Sequence, residues 1–321
     1  MVAVADLRRS CAEAAAEKYE ISSCHENDED LLKDPHIEAV VLAVPAGVRT
    51  SISCTALECG KHVLLEKPAA TSAAEIEKMM ALRRDRVVAC CSCRYAFAGH
   101  AQVAAQSVAQ GLLGEIRVVR IRVLRAASNP AGDPPPWRQS MSLNGGGILV
   151  NWGCYDLDYM MQVTGWQLKP KEVMAHWWPV AEKMSAFVAA GSDADSHYTA
   201  FVQCEDDVVI SMERGEFSSS QSDMAWQIIG TDASLCLPMR PTNDKKDEVI
   251  LNQFRPGDGV VSESIWTEAD ACLEDDVIHD FARAIRDGSP PKTSLERALV
   301  IQKITDAIYA SAKSDRSVSV S

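Results

Sequence analysis

The 321-residue chain lacks the sequence features of membrane, secreted and nucleic-acid-binding proteins. No window approaches the roughly 20 apolar residues of a membrane-spanning helix. The N-terminus has no long apolar stretch and carries Asp6, Arg8 and Arg9 within its first ten residues, which argues against a signal peptide. The net charge is −13, and the short basic runs have acids beside them, whereas nucleic-acid binding needs a clustered basic face. We expect a cytoplasmic protein without membrane or nucleic-acid partners.

The chain also lacks the spacing of a metal site or a disulfide framework. Its eleven cysteines are odd in number and scattered. Cys90 and Cys93, with Cys91 between them, form a Cys-x-x-Cys in a strand-like run, where residues three apart face opposite ways. His176 and His197 have no metal-ligand spacing. The sequence therefore predicts reduced core cysteines and no metal, and it has no Gly-x-Ser-x-Gly elbow of a serine hydrolase.

Strands and helices alternate over the first ninety-odd residues. The predicted strands are Val2–Ala5, Ala39–Val44, 62–65 and 86–92, and the predicted helices are 8–19, 47–59 and a segment from Thr71 or Ser72 to about Leu82. In the last of these, Glu75 is placed as the capping acid that reaches back to Ser72. This alternation predicts a doubly wound parallel sheet.

The pattern changes after residue 95. We predict a helix at 97–109, a strand at Ile116–Leu124, a Pro- and Gly-rich loop at 127–144, and a helix from the Gly145–Gly147 run to Val163. Further strands, mainly antiparallel, are predicted at 171–178, 196–204, 207–214, 225–230 and 247–252, and helices at 269–286 and 293–312. The expectation is an α/β domain at 1–95 followed by an α+β domain at 96–321 with a large open sheet.

Lys67 is the most informative residue. The apolar run Val63–Leu65 is typical of a buried parallel strand, and it ends at Glu66, Lys67 and Pro68. Ligands of open α/β sheets bind beyond the carboxyl ends of the strands, and burial moves the pKa of a lysine towards neutrality. An ordinary strand-terminal lysine that extends to solvent is the alternative, and the local sequence does not separate the two.

An acid and two arginines follow the first predicted strand. Asp6 stands where dinucleotide-binding folds carry an acid for the adenosine ribose hydroxyls. The alternative is an acid that stabilises the N-terminus of the next helix through its dipole. Arg8 and Arg9 leave open a 2′-phosphate, so both NAD and NADP stay candidates.

The glycine run 145–147 lacks the spacing of a phosphate loop, and it is expected to let the backbone pass close to a ligand or to the other domain. In the helix that follows, Asn151 and Tyr155 are four residues apart and share a face, with Asp158 three residues beyond. They form either a pocket wall or a satisfied buried pair. Trp137 and Arg138 precede the run and either cover a ligand or pack.

These motifs resemble the glucose–fructose oxidoreductase and inositol dehydrogenase (Gfo/Idh/MocA) family. The matching segments run in family order: Val2–Asp6, Val40–Pro45, Ala56–Pro68, Arg94–Tyr95, Trp137–Arg138, Gly145–Asp158, Ile228–Leu235 and Ile278–Val320. Gly-Lys-His-Val-x-x-Glu-Lys-Pro followed at a distance by Gly-Gly-Gly is a specific combination.

The resemblance implies an N-terminal Rossmann domain, an α+β domain, and NAD- or NADP-dependent chemistry on a sugar-like alcohol or carbonyl. The lysine that matches Lys67 contacts substrate and nicotinamide ribose in the family. The family commonly has Asp and His where this chain has Asn151 and Tyr155, although glucose–fructose oxidoreductase is similar in placing a tyrosine at the second position. The exposed sheet face often forms a homodimer or homotetramer.

The chain departs from the family pattern in three respects. The strand, Gly-x-Gly-x-x-Gly loop and helix that usually open the fold do not precede Val2, which is expected to leave strand edges unpaired and core surface uncovered. The usual polar residue after Pro45 is Ala46, and the usual nearby His matches Arg49. The Asp/His pair is replaced, as described above.

The resulting hypothesis is hydride transfer between NAD(P) and a sugar, cyclitol or related polyol. Lys67 and Tyr155 are the predicted catalytic residues, and we expect the Lys67 ammonium to lower the pKa of Tyr155. The predicted cofactor contacts are Asp6, Pro45, Glu66 and Lys67, and the predicted substrate contacts are Arg94, Trp137, Arg138, Asn151 and Tyr155. The alternatives are a non-catalytic sensor on the same scaffold and an inactive shortened form.

Overall fold

The computed structural model describes residues 1–129, 132–239, 247–267 and 276–321. Within these ranges, no helix is both long enough and apolar enough to cross a bilayer. The same ranges contain no cluster of three or more His, Cys, Asp or Glu side chains placed to bind a metal ion.

Short parallel strands alternate with helices up to residue 90, as predicted. The strands are β1 (Ala3–Ala5), β2 (Ser23–His25), β3 (Ala39–Leu42), β4 (His62–Leu65) and β5 (Val88–Cys90). The helices are α1 (Arg9–Lys18), α2 (Asp28–Lys33), α3 (Ala46–Glu58) and α4 (Ala73–Leu82). The pair β2 and α2 was not predicted, because the short segment Ser-Cys-His has no apolar periodicity.

These strands form two separate parallel sheets. β1 pairs with β2, and β3, β4 and β5 form a three-stranded sheet; among the described residues no ladder joins the two. Val41, in the middle of β3, is 55% exposed although it belongs to an apolar strand. Among the described residues, β3 therefore has a neighbouring strand, β4, on one side only.

Helix α4 shows that the predicted capping partner was wrong. The Ser72 hydroxyl accepts a hydrogen bond from the backbone N–H of Glu75, as expected for an N-cap. The Glu75 carboxylate, however, accepts from the backbone N–H and the hydroxyl of Thr71 instead of from Ser72. The reciprocal bond is thus displaced by one residue, because the Thr71 hydroxyl offers a second donor.

The second half builds one large sheet and the helices that cover it. Its strands are β6 (Ile116–Ala126), β7 (Pro170–Pro179), β8 (Asp195–Cys204), β9 (Val209–Ser218), β10 (Asp223–Gly230), β11 (Ala233–Leu237), β12 (Glu248–Arg255), β13 (Gly259–Thr267) and β14 (Val318–Ser319). Its helices are α5 (Gly99–Ala109), α6 (Met141–Asn144), α7 (Cys154–Val163), α8 (Val277–Asp287) and α9 (Leu295–Ser314). The part of the predicted helix 269–286 before residue 276 lies outside the described residues.

The strand order is β13-β12-β11-β10-β6-β9-β8-β7-β14. Neighbouring strands are antiparallel except for β6 and β9, which are parallel, so the predicted mainly antiparallel sheet is confirmed. The sequence did not predict β11 or β13. In β13 the side chains are largely exposed, so its sequence lacks the apolar face that marks a half-buried strand.

Two main cores lie under these sheets, and helix α9 contributes to both. The first core covers the inner face of the nine-stranded sheet and includes Ile304 and Ile308 of α9. The second lies in the N-terminal unit and includes Leu295 and Ala298 of the same helix. The proposed boundary at residue 95 stays a prediction, since the C-terminal helices return to pack on the N-terminal sheets.

The segment after β5 is helical rather than extended. Residues Cys91–Phe97 form a 3-10 helix, so the strand predicted at 86–92 ends at Cys90. The thiol of Cys93 donates to the carbonyl oxygen of Cys90, and burial raises the pKa of Cys91 to about 12. These free, buried thiols agree with the interpretation that they are reduced core residues.

The glycine run 145–147 packs closely against protein rather than framing a ligand. An added Cβ would meet Thr71 of the N-terminal unit at Gly145, the hydroxyl of Tyr309 at Gly146, and the backbone of Asp195 at Gly147. The expectation that the run passes close to the other domain therefore holds for Gly145. The buried Asp195 carboxylate accepts from the N–H groups of Gly147 and Leu149, which fixes the start of the next helix.

Candidate active site between the two domains

Lys67 extends from the carboxyl end of β4 across to the second domain. Its ammonium donates a hydrogen bond of 3.0 Å to the backbone carbonyl oxygen of Asn151. Asn151 lies in a π-helical turn, Leu149–Gly153, that leads into α7. Wide π turns are frequent at functional sites because they alter the regular carbonyl pattern of a helix. Lys67 is thus a positioned residue at the junction of the two domains and not a solvent-extended lysine.

Tyr155 forms the opposite wall of this junction. The Lys67 ammonium lies 5.3 Å from the centre of its ring, and the Arg94 guanidinium lies 5.5 Å from it. The ring also packs edge-on against Tyr95 and beside Trp152, at centroid separations of 5.2 and 5.6 Å. The structure therefore brings together three residues that the sequence singled out separately, namely Lys67, Arg94 and Tyr155.

The predicted direction of the Tyr155 pKa shift was wrong. Burial of the phenol, reinforced by the buried Cys154 thiol, raises the pKa of Tyr155 above its usual value of 10.0. Nearby Arg94 acts in the opposite direction and does not offset the loss of water around the ring. In this state Tyr155 is a neutral phenol at neutral pH, which can donate a proton or a hydrogen bond.

Arg49 holds the corner that presents Lys67. This guanidinium is 3% exposed and donates to the carbonyl oxygens of Val44, Glu66 and Pro68. These carbonyls follow the ends of β3 and β4, so one side chain ties both strand ends together. Burial lowers the pKa of Arg49, which indicates the cost of enclosing the charge. The sequence showed only that Arg49 replaces a family histidine, and it did not predict this role.

Asn151 is bonded to protein groups through its side chain. Its amide donates to the carbonyl oxygen of Arg138 at 2.7 Å, and its oxygen accepts from the Asn144 amide at 3.2 Å. The residue is buried, so its side chain supports the loop before α6. This geometry favours the alternative of a satisfied buried asparagine, and direct contact with a substrate hydroxyl stays a prediction.

Glu216 is a site residue that the sequence did not predict. Its carboxylate accepts from both terminal nitrogens of Arg138, at 3.2 and 2.6 Å, and from the Gln139 amide at 2.8 Å. Trp137, by contrast, is 40% exposed, and within the described part of the chain it makes no ring or hydrogen-bonded contact with Lys67 or Tyr155. Nothing in the local pattern of β9 could reveal Glu216, since its partner lies 78 residues away.

A buried carboxylate joins α7 to the N-terminal unit. Asp158 is fully buried and accepts hydrogen bonds from Ser92 and Thr293, both at 2.7 Å, and from Gln162 at 3.2 Å. Burial raises the pKa of Asp158 from 3.8 to about 6, although these hydrogen bonds oppose the shift. Because Asp158 lies one helical turn beyond Tyr155, this network fixes the catalytic helix against the segment after β5.

The raised pKa of Asp158 predicts a stability change in the acidic range. The folded state keeps this proton where the unfolded chain loses it, so the stabilising contribution is full below 3.8 and is lost as pH rises through about 6. The shift in the pKa of Asp158 from 3.8 to about 6 corresponds to a total stability contribution of about 3 kcal/mol. The free energy of unfolding is measured with urea at about pH 4.5 and at about pH 7. Between these two pH values, Asp158→Asn should lose less unfolding free energy than the wild type loses. Asp258→Asn, exposed in the β12–β13 turn, is the control, and equal losses in all three proteins would contradict the assignment.

The cofactor-side candidates lie at the carboxyl ends of β1, β3 and β4. Glu66 pairs with Arg94 at 3.0 Å, and Pro45 precedes the first residue of α3. Asp6 follows β1 and accepts from the backbone N–H of Arg8. Cations, a carboxylate and a helix N-terminus at the carboxyl ends of parallel strands suit the nicotinamide and ribose groups of a dinucleotide. The turns after β1 and β3 contain no glycine.

The parallel strands carry a positioned lysine at their carboxyl ends, and a helix of the large sheet domain supplies a tyrosine. This arrangement defines a two-domain, dinucleotide-dependent oxidoreductase. The comparison with protein families agrees. Residues 1–92 match the oxidoreductase family with an NAD-binding Rossmann fold, and residues 101–236 match the GFO/IDH/MocA C-terminal domain. The chain belongs to the Gfo/Idh/MocA family of oxidoreductases.

Several characterised proteins are similar in sequence. Levoglucosan dehydrogenase of Pseudarthrobacter phenanthrenivorans is 23% identical over 345 residues, covering 99% of this chain and 88% of that protein. D-glucoside 3-dehydrogenase of Escherichia coli is 33% identical over 179 residues, covering 55% of this chain and 49% of that protein. Human trans-1,2-dihydrobenzene-1,2-diol dehydrogenase is 31% identical over 181 residues, covering 54% and 50%. The chain thus spans about half the length of the last two relatives.

Solved structures share the fold. The complex of levoglucosan dehydrogenase with NADH and L-sorbose superposes with a TM-score of 0.83 at 21% identity, covering 100% of this chain and 89% of that chain. Aldose-aldose oxidoreductase from Caulobacter crescentus, complexed with glycerol, gives a TM-score of 0.79 at 19% identity, covering 99% and 91%. These likenesses confirm the predicted architecture of a parallel-sheet domain followed by a large mixed sheet.

Proposed function

We propose that the protein transfers hydride between NAD and a hydroxyl-bearing carbon of a sugar, cyclitol or related polyol. The observation that carries the proposal is the Lys67 ammonium, which reaches across the domain junction and lies beside the ring of Tyr155. Family membership supplies the oxidoreductase class. The names of the relatives, levoglucosan dehydrogenase and D-glucoside 3-dehydrogenase, support a carbohydrate substrate.

The protein groups divide the remaining work of the reaction. NAD, when bound, supplies the hydride acceptor and NADH the donor. Lys67 donates a hydrogen bond to the substrate oxygen and stabilises negative charge that develops there. Tyr155, a phenol in this environment, gives its proton to that oxygen when a carbonyl is reduced and receives one when an alcohol is oxidised. Arg49 keeps Lys67 in place by fixing the ends of β3 and β4.

The other predicted contacts follow from their positions around this centre. We propose that Asp6 binds the adenosine ribose and that Pro45 and Glu66 line the nicotinamide. Arg94, whose guanidinium pairs with Glu66 through one terminal nitrogen, contacts the substrate through its other nitrogens. The Arg9 guanidinium is engaged by Glu13 at 2.7 Å and by Glu26 at 2.6 Å. That engagement favours NAD over NADP, because a 2′-phosphate would have to compete with both carboxylates.

Cofactor titration combined with a substrate panel tests the proposed function. Purified protein is titrated with NADH and NADPH by fluorescence, and nicotinamide absorbance is followed with a panel of monosaccharides, glycosides, cyclitols and linear polyols. We expect saturable NADH binding and turnover of at least one cyclic polyol. No NADH binding in a protein that unfolds cooperatively would contradict the proposal. Binding without turnover of any compound would favour the non-catalytic sensor.

Assembly and cellular location remain proposals of the same kind. The outer face of the nine-stranded sheet exposes large apolar side chains, among them Met174, Trp178 and Phe201. Such a surface supports a homodimer or homotetramer, as expected from the family resemblance, and light scattering tests it. The cytoplasmic location stays a prediction.

A further inference from the structure

A cavity of about 390 Å³ opens at the carboxyl ends of the parallel strands β6 and β9. Ligand pockets have volumes of about 300–1,000 Å³, so this space can enclose one sugar ring. Its lining residues include Arg138 and Glu216, described above, but neither Lys67 nor Tyr155. Those that matter here are Arg125, Asn129, Arg138, Phe187, Glu216 and Phe217.

The cavity wall combines an aromatic surface with fixed polar groups. The rings of Phe187 and Phe217 lie 4.9 Å apart at an angle of 31°. Next to them, the Glu216 carboxylate is held by Arg138 and Gln139, so it cannot rotate freely. An apolar face bordered by charged acceptors and donors is the chemistry that a pyranose needs, because its C–H face stacks on rings while its hydroxyls hydrogen-bond at the edge.

Phe217 also has an unusual backbone conformation. Its φ angle of 58° lies in the left-handed region, which bulky residues rarely adopt. Such conformations persist where the surrounding structure over-determines them, and they cluster at ligand sites. Phe217 follows Glu216 near the end of β9, and both residues line the cavity.

The cavity is connected to the Lys67 site through Arg138 and Trp152. The carbonyl oxygen of Arg138 accepts from Asn151, whose own carbonyl binds Lys67. The Trp152 ring lies 5.9 Å from the Arg125 guanidinium on the cavity side and 5.6 Å from the Tyr155 ring on the catalytic side. These contacts link the wall of the cavity to the Lys67 site.

We propose that this cavity is a second sugar subsite and that the substrate is a disaccharide or glycoside rather than a free monosaccharide. The inference rests on the proposed function. The ring that is oxidised lies against Lys67 and Tyr155, and the second unit stacks on Phe187 and Phe217 with its hydroxyls at Glu216 and Arg138. Hydride leaves the hydroxyl-bearing carbon for NAD, the hydroxyl proton goes to the phenolate of Tyr155, and the glycosidic bond stays intact.

Steady-state kinetics with matched sugars tests the subsite. D-glucose, methyl β-D-glucoside, cellobiose and maltose are compared as substrates with NAD. We expect kcat/KM for at least one disaccharide to exceed that for glucose by about tenfold or more, mainly through a lower KM. Phe187→Ala should reduce this disaccharide-to-glucose ratio about tenfold. Phe201→Ala, which removes an exposed ring from the outer sheet face, should retain the ratio.

The outcomes separate this inference from the proposed function. Equal kcat/KM for glucose and all disaccharides would overturn the subsite but not the proposed oxidoreductase activity. A disaccharide-to-glucose ratio that Phe187→Ala leaves unchanged would do the same. If no sugar is turned over, calorimetric binding of cellobiose and maltose decides. Binding that is lost in Phe187→Ala but kept in Phe201→Ala supports the subsite without the activity. No binding of either disaccharide to the wild type overturns it.

Discussion

Replacing Lys67 by methionine is expected to lower kcat by about 1,000-fold or more. The substitution keeps an unbranched side chain of similar size and removes the ammonium that donates to the carbonyl oxygen of Asn151. Without that charge, the developing oxyanion loses the ammonium that stabilises it, and the hydrogen bond between Lys67 and Asn151 is lost. Single-turnover measurements with saturating NAD and substrate report the chemical step directly.

The control for Lys67 is Lys78→Met, which removes an exposed lysine on helix α4. It should retain wild-type kcat and KM, and both variants should unfold at similar urea concentrations. Lys67→Arg should retain a small fraction of the activity, since it keeps the charge but changes the donor geometry. A Lys67→Met protein with the full single-turnover rate would remove this residue from the mechanism.

Replacing Tyr155 by phenylalanine is expected to slow the chemical step by about 100-fold while KM changes little. The ring contacts with Tyr95 and Trp152 survive the substitution, so only the phenolic proton is lost. An unchanged single-turnover rate would show that another group transfers the proton. Tyr95→Phe is the matched control, because it removes a hydroxyl from the neighbouring ring.

The raised pKa of Tyr155 also predicts how the reaction rate depends on pH. Because burial raises the pKa, the phenolate is scarce at neutral pH, and its fraction grows about tenfold for each pH unit below the pKa. Alcohol oxidation, which needs a proton acceptor, should therefore accelerate from about pH 7 to about pH 9, whereas carbonyl reduction should be nearly flat. The slope should disappear in Tyr155→Phe. A wild-type oxidation rate independent of pH would contradict the assignment.

The sequence predicted those parts of the fold that have a local signature. Strand β4 was predicted with its observed bounds, because the buried apolar run Val63–Leu65 ends abruptly at Glu66. The long strand β6 was predicted from its alternating pattern, and α7 forms the second half of the helix that was predicted from the glycine run 145–147 to Val163. Strands β2 and β13 were missed because polar or exposed residues dominate them. The parallel pairing of β6 with β9 joins segments about 90 residues apart, which no local pattern records.

The candidate site was predictable in part for the same reason. Lys67 and Tyr155 were identified from a strand end and a helix face, and the family order linked them. Arg49 and Glu216 act through partners that are distant in the chain, so their roles appear only when the chain is folded. The direction of the Tyr155 pKa shift depends on how much water surrounds the phenol, and the sequence does not contain that quantity. An argument from the proximity of Lys67 alone therefore predicted a lowered pKa for Tyr155, whereas burial raises it.

Helix α9 has a consequence for how the two domains move. Its first turns are buried with the N-terminal strands and its later turns with the nine-stranded sheet, so one continuous rod is embedded in both. Bending such a rod breaks backbone hydrogen bonds, so the domains cannot open about a loose hinge at this point. We therefore expect substrate to enter without wide separation of the domains.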